Sequence, residues 1–344
     1  MFLKDLKQKM ILPNREILIN KTVKIRGLDV QLISITSQEH RNVLWAMYQL
    51  PCPVNAGMDL EERIEYTSNR DEMTNNISKY ISSPPNIYIS EIMIQNQKMS
   101  FISSSSSPMH DMNYEGYMQL QHFIENGMVT TNWNEVNLAN IVIAAYKQNE
   151  SEEFPTVDLS KKLDITLKVN KELTQVPINQ SIRLEFAEIE KGKKFSFYDS
   201  TEKKTRTFYI DRMKHYDIWD EVNHDLDDEL AKVLPEEQIE QMKKDYLTFL
   251  EKTCPKGMNL AMLEYETEDD VQLYFYSKEY LDEKPAQKTS SSSAMFFTSD
   301  KKLGTNGFKT RTCMIKPVQK GFNGIIDVEL FSYLMVIPEE TITV

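Results

Sequence analysis

The sequence predicts an α+β protein: a helical/mixed N-terminal domain over residues 1–150, opened by an extended arm, and then an antiparallel-sheet domain over residues 151–344 with two inserted helices near 212–252. Three observations carry this. Apolar residues in the first half recur at helical spacing. Apolar residues after residue 160 alternate with period two, as in a sheet with one packed face. Between them Asn149 to Pro155 is polar, acidic and ends in proline, which marks a boundary.

Taken in order, Val23 and Ile25 alternate, Gly27 intervenes, and Leu28, Val30 and Leu32 alternate on the opposite parity. A glycine at a parity switch reads as a bulge or tight turn between two strand pieces. Ser37 then opens a helical pattern through Val43, Leu44, Met47 and Leu50, stopped by Pro51. A weaker helix spans 59–81 on Leu60, Ile64, Ile77 and Ile81, and residues 86–102 fit helix and strand equally. Ser103 to Ser107 with Pro108 reads as a flexible loop. A helix from Asn113 to Asn126 stops at Gly127. Asn132 with Glu135 three residues on resembles a capping box that opens a further helix carrying Trp133, Val136, Ile141 and Ala145.

Beyond the boundary, Leu163, Ile165, Leu167 and Val169 alternate, as do Ile182, Leu184 and Phe186. Phe195 and Phe197 lead into the turn Asp199-Ser200-Thr201-Glu202, and the chain returns from Lys203 to Ile210 as the second arm of a hairpin. Helices follow at 212–233 and after Pro235-Glu236-Glu237, the latter with the stripe Ile239, Met242, Tyr246, Leu247 and Leu250, closed by Gly257. Strands are expected at 258–266, 271–277, 294–299, 308–317 and 324–336, with a second serine loop at Ser290 to Ser293. The pattern is a meander with helices on one face.

Composition narrows function. With 40% hydrophobic residues the chain can build a core, and its net charge of −12 disfavours phosphate backbones and anionic lipid, leaving protein as the default partner. Ten glycines supply little material for phosphate-cradling loops, and neither a Walker A pattern nor a GxSxG elbow occurs. Cys52, Cys254 and Cys313 are odd in number and show no CxxC spacing, so a disulfide framework and a cysteine zinc site are not expected. The N-terminus lacks a signal pattern and no run approaches a membrane span, which places the protein on the cytoplasmic side unless a particle carries it. No catalytic residue and no cofactor are expected.

The densest constellation is His215 through Glu229. On a helix, Asp220 and His224 sit one turn apart, and carboxylate plus imidazole at that spacing is a candidate metal pair. The same run, through Asp217, Asp220, Glu221, Asp225 and Asp228, equally forms an acidic face that docks a basic protein. His40 beside Glu39, His110 beside Asp111, and His122 near Glu125 are common pairings that need no function. Lys191, Lys193, Lys194, Lys203, Lys204 and Arg206, interleaved with Phe195, Phe197 and Phe208, have the composition of a single-strand nucleic-acid face, but the phenylalanines fall where the core alternation wants them.

Short segments also carry a resemblance. Leu12-Pro13-Asn14, the T-x-x-E entry Thr36-Ser37-Gln38-Glu39, the apolar run Leu138 to Ile143, and Val157-Asp158-Leu159-Ser160 together resemble the baseplate hub and tail-assembly family of contractile-tailed phages, over about residues 10–190. Cys254-Pro-Lys-Gly-Met258 onward is similar to the C-terminal part of uncharacterised proteins of low-GC Gram-positive bacteria. The resemblance implies a structural or adaptor protein with several subunits of an assembly as partners, in the cytoplasm or the virion. Two other classes stand beside it: an acidic immunity or inhibitor protein that docks on a basic toxin, and a metal-dependent enzyme.

Overall fold

The computed structural model describes residues 10–38, 41–50, 65–82, 87–109, 113–150, 152–186, 188–220, 236–285 and 303–344. It is largely all-β and antiparallel, with sixteen strands among the described residues, so the expected α+β class with a helical N-terminal domain is overturned. Two compact units are present, one drawn from residues 1–64, 83–172 and 336–344, the other from 65–82 and 173–335.

The first unit opens with the hairpin β1 (Arg15–Ile25) and β2 (Leu28–Gln38). Arg26 and Gly27 turn it with φ of 49° and 84°, the doubly left-handed turn that matches strand twist and that glycine adopts without strain. The sheet continues through β3 (Arg41–Gln49), β4 (Ile89–Ile94), β5 (Gln97–Ser100), β6 (Ser103–Pro108), β7 (Ile141–Lys147) and β8 (Ile165–Val169), with β16 (Glu340–Thr343) at the far end of the chain. One sheet has the order β1-β2-β3-β7-β6 and the other β16-β8-β4-β5. They face each other across one core, in which Leu32, Leu44, Ala46 and Tyr146 meet Ile92, Ile94, Ile165 and Leu167. The outer face of the five-stranded sheet is buried too. Helix α2 (Tyr114–Glu125; α1 is Asn69–Ser82, in the second unit) lays Phe123 on Trp45 at 5.4 Å between ring centres, and Met128, Trp133 and Ile143 complete that cluster.

This second covering explains the wrong helices. Strand β3 is buried at Asn42 and then at every position from Leu44 to Tyr48, and β7 at every position from Ile141 to Tyr146. A strand buried on both faces loses period two and reads as a solid apolar run, which periodicity cannot separate from a helix. The helix expected from Ser37 is thus the end of β2 and β3. The helix expected from Asn132 is a series of turns and a short 3-10 helix (Leu138–Asn140) before β7, and its cap is Asn137, whose Oδ1 accepts from Ala139 N–H at 3.0 Å. The serine loop is β6. The helix at 113–126 is present as α2, capped by Asn113.

In the second unit β9 (Glu172–Glu185), β10 (Glu188–Asp199), β11 (Lys204–Tyr216), β12 (Met258–Thr267), β13 (Gln272–Ser277), β14 (Thr310–Gln319) and β15 (Ile325–Ile337) form two sheets, β10-β11-β12-β14 and β13-β15-β9. They close on Phe208, Ile210, Leu263 and Tyr265 against Leu184, Phe275, Leu330 and Tyr333. Helix α3 (Glu236–Thr253) covers the outer face of the first sheet through Leu250 against Leu260 and Met262. Helix α1, with the short α4 (Lys278–Asp282), covers the second through Ile77 and Leu281 against Phe331. The helix expected at 212–233 is corrected in its first part: residues up to Tyr216 belong to β11, and a helical turn runs 218–220. Its remainder and the strand expected at 294–299 lie outside the described residues.

One buried ionic network pins the β10–β11 hairpin to the opposite sheet. Arg206, 4% exposed, donates from Nε to Asp199 Oδ2 at 2.8 Å and also engages Glu202 and Asp269. Tyr333 on β15 donates its hydroxyl to the same Asp199 oxygen at 2.5 Å, and the guanidinium lies 4.9 Å from its ring centre. Burial opposes ionisation of Asp199, but the Tyr333 and Arg206 hydrogen bonds hold its carboxyl below the usual range. Removing one partner of a buried pair strands the other charge, at a cost of about 3–5 kcal/mol. Arg206→Ala should therefore lower stability by that amount, and Tyr333→Phe by about 2 kcal/mol, the worth of one hydrogen bond to a charged group. Shifts in the urea unfolding midpoint of each variant check both values.

Candidate functional site

The sequence-predicted acidic segment is only partly described. Asp217 follows β11 and receives Lys320 Nζ at 2.7 Å, and its other oxygen caps the helical turn by accepting Trp219 N–H at 3.2 Å. The Lys320 ammonium beside it draws the Asp217 carboxyl below its ordinary value. Asp220 follows in the same turn, its N–H reaching Asp217 O at 3.3 Å. Glu221, His224, Asp225 and Asp228 lie outside the described residues, and so do His40, Glu39, His110 and Asp111. Among the described residues no group of three His, Cys, Asp or Glu side chains is placed to hold a metal ion.

His215 sits on β11, stacked on Phe186 at 4.6 Å with Nε2 2.7 Å from Phe322 O, a packed side chain within the fold. His122 meets Glu16 at 3.1 Å, while Glu125 receives Gln121. Two cations of the basic hairpin are neutralised within the fold: Arg206 is buried in its acid cage, and Lys204 reaches Glu202 at 2.8 Å and Asp269 at 3.3 Å, while Lys193, Lys194 and Lys203 are exposed. Phe197 and Phe208 belong to the core. Cys254 and Cys313 are held protonated, burial pushing the Cys254 thiol up and the Cys313 thiol to about 12. A nucleophilic role needs a lowered thiol pKa.

The geometry instead brings together a groove and an edge in the first unit. On the helix-covered face of the five-stranded sheet, a cavity of 330 Å³ has an apolar floor of Val43, Trp45, Ile143 and Ala145. Asn113, Gly116 and Gln119 of α2 wall one side, and Ser105 to Ser107 of β6 form another. Arg41, Lys147 and Glu115 bring charge to its rim. The floor is fixed rather than plastic: Trp45 Nε1 donates to Thr36 Oγ1 at 2.8 Å, and Gly116 leaves no room for a Cβ against Met109 Sδ. Strand β6 is an edge among the described residues, with all five serines exposed. Serine is a weak strand former, so composition hid this edge; the strand exists because β7 templates it in a continuous ladder from Ser103–Lys147 to Pro108–Val142.

Sequence reading also missed a carboxyl pair, Asp211 on β11 and Glu266 on β12, 6% and 0% exposed. The β11–β12 register shifts by one residue at Asp211, and such a bulge re-aims a side chain, here toward Glu266. The two lie under the 303–309 hairpin. Asn306 and Phe308 N–H donate to Glu266 at 2.9 and 2.7 Å, and Thr305 Oγ1 donates to Asp211 at 2.7 Å. Gly304 approaches so closely that a Cβ would overlap both carboxyls. This packing leaves no space for a substrate, so the pair is a fastening for the hairpin.

Burial, and then the Glu266 charge, raise Asp211 to about 6, against the Thr305 hydroxyl. Burial works against Glu266 ionisation, yet the Asn306 N–H and the Asp211 proton keep Glu266 below its ordinary value. An acid whose folded pKa is raised stabilises fully below its unfolded value of 3.8, and that stability is lost as pH rises through about 6. Asp211→Asn keeps a donor toward Glu266 without the titration. The variant should gain on the order of 1 kcal/mol over the parent at neutral pH and lose the decline between acid and neutral pH, read from urea unfolding across that range.

No protein-family model, no curated protein and no solved structure matches this chain, so its site is read from its own geometry.

Proposed function

We propose that this chain is a non-enzymatic structural or adaptor protein that binds other protein subunits in an assembly of the phage tail or baseplate kind, in the cytoplasm and then in the particle. The observation that carries the binding reading is the exposed edge β6 beside a preformed apolar groove. An edge strand offers main-chain hydrogen bonds to an incoming extended segment, and an adjoining pocket takes that segment's side chains and supplies selectivity. Among the described residues the carboxyl pair is sealed, the Cys254 and Cys313 thiols are protonated and the histidines are packed into structural roles, which supports binding over catalysis. The assembly context rests on the resemblance of residues 10–190 to tail-assembly proteins. Among the described residues no helix is long and apolar enough to cross a membrane.

The acidic-inhibitor reading draws less support, because Asp217 is already occupied by Lys320. The two readings differ in salt response: apolar groove contacts persist in high salt, whereas an exposed acidic face loses its partner as charges are screened. Gln119→Trp fills the groove from α2 without entering the core. Tagged protein crosslinked and isolated from its host during phage induction should retain several particle subunits through a high-salt wash. The tryptophan variant should recover about tenfold less, equivalent to 1.4 kcal/mol, at an unchanged melting temperature. Recovery of one basic protein that salt removes, indifferent to Gln119→Trp, would sink the groove reading.

A further inference from the structure

We propose that the occupant of the β6 edge is a second copy of this chain, added antiparallel about a two-fold axis at Ser105, so that two five-stranded sheets become one. This rests on the reading of β6 as a docking edge and goes further by naming what docks.

The first argument is hydrogen-bond parity. Met109 N–H donates to Ile141 O at 2.8 Å, and the β6–β7 register runs without a shift from Ser103–Lys147 to Pro108–Val142. Bonded pairs alternate in an antiparallel ladder, so Ser103, Ser105 and Ser107 turn their main-chain groups toward β7, and Ser104 and Ser106 turn theirs outward. The outward series stops on both sides. Ile102 N–H is directed inward to Lys147 O at 2.9 Å, and Pro108 has no N–H. The free edge therefore carries its donors at Ser104 and Ser106, symmetric about Ser105. A second copy turned about that point sets Ser104 against Ser106 and Ser106 against Ser104, satisfying every outward donor in about four main-chain hydrogen bonds.

The second argument is the contrast between the two edges of one sheet. Exposed edges in proteins that stay apart carry charges, prolines or bulges. Strand β1, the other edge, has Lys21, Lys24 and a register shift between Leu18 and Lys21. Strand β6 has no charged residue from Phe101 to Met109 and no shift in register, and its one proline, Pro108, stands at its last position, beyond the outward donors. Two charged edges would repel their own copies, but two serine edges do not, and facing serines can hydrogen-bond across the pair.

The full-length chain is examined by sedimentation over a concentration series, with single-cysteine crosslinking as a positional readout. At the axis Ser105 faces its own copy in a non-bonded pair with Cα atoms about 4.5 Å apart, within disulfide reach. Wild type should show a reversible dimer. Ser105→Cys should oxidise to a covalent dimer, assigned by peptide mapping, much faster than Ser104→Cys, whose opposite residue is Ser106. Ser106→Pro removes an outward donor while leaving the β7 ladder whole, and should weaken the dimer about tenfold, whereas Ser106→Ala, which loses only the side-chain hydrogen bond to Tyr48, should leave the dimer intact. A monomer at every concentration, or a dimer indifferent to Ser106→Pro with no preference for crosslinking at position 105, overturns the proposal. If a monomer still captures particle subunits in a way that Gln119→Trp abolishes, the edge takes a segment of another protein and the adaptor reading stands; loss of both removes both.

Discussion

The middle strands of this protein are buried on both faces, and much of the remaining architecture follows from that. An antiparallel sheet ordinarily leaves one face in water. Here β3, β7 and β12 are apolar on each side, so a sandwich partner covers only half of what must be hidden. The second half is covered by helices. Phe123 of α2 lies on Trp45, Leu250 of α3 on Leu260 and Met262, and Ile77 of α1 with Leu281 of α4 on Phe331. The helices are lids laid on sheets, which is why each carries a single apolar stripe and a solvated back.

Burying both faces of a strand also decides what must happen to any charge within it. Strand β12 contains Glu264 and Glu266, 3% and 0% exposed. An isolated carboxylate there would be prohibitively costly, so each is satisfied in its own way. Glu264 receives Arg212 at 2.6 Å and Lys214 at 2.7 Å from β11, and these cations hold it ionised against its burial. Glu266 shares the Asp211 proton and takes the backbone of the 303–309 hairpin. Arg206 finds Asp199 and Tyr333 by the same rule. The ionic groups of this sandwich thus act as internal fasteners that join segments distant in sequence, and their conspicuous charge is spent inside the fold.

That distinction explains what the sequence shows and what it hides. Strand β8 keeps its other face in water, and its Ile165, Leu167, Val169 alternation was legible at once. The turn from Asp199 to Glu202 was legible because Asp199 imposes local chemistry: its Oδ1 accepts Thr201 N–H at 2.9 Å. Strands β3 and β7 were not, since their second face is covered by α2, a fact stored some seventy residues from β3. The Asn132–Glu135 capping pattern was mimicry, with Asn137 making the actual cap. The Asp211–Glu266 pair depends on a one-residue bulge that no spacing rule reports. The serine edge was the deepest miss, because its strand character comes from β7 and not from its own side chains.

The placement of that edge is itself an argument about function. Both units are built from separated stretches of chain: β16, the last strand, pairs with β8, so the first sandwich is completed only by the C-terminal residues. A chain ending at residue 150 would lack β8 and β16, half of the sheet that faces β1 to β3. Strand β6 therefore extends from a sandwich closed by both ends of the chain, and its groove floor is fixed by the Trp45–Thr36 hydrogen bond and the Phe123 contact. A docking edge gains affinity when its main-chain groups are already in position, because ordering them costs nothing on binding. Serine side chains add no charge and little bulk to obstruct an approaching strand. A rigid, uncharged edge, uncovered among the described residues, in a sheet whose opposite edge is bulged and charged is best understood as a surface kept available for another strand.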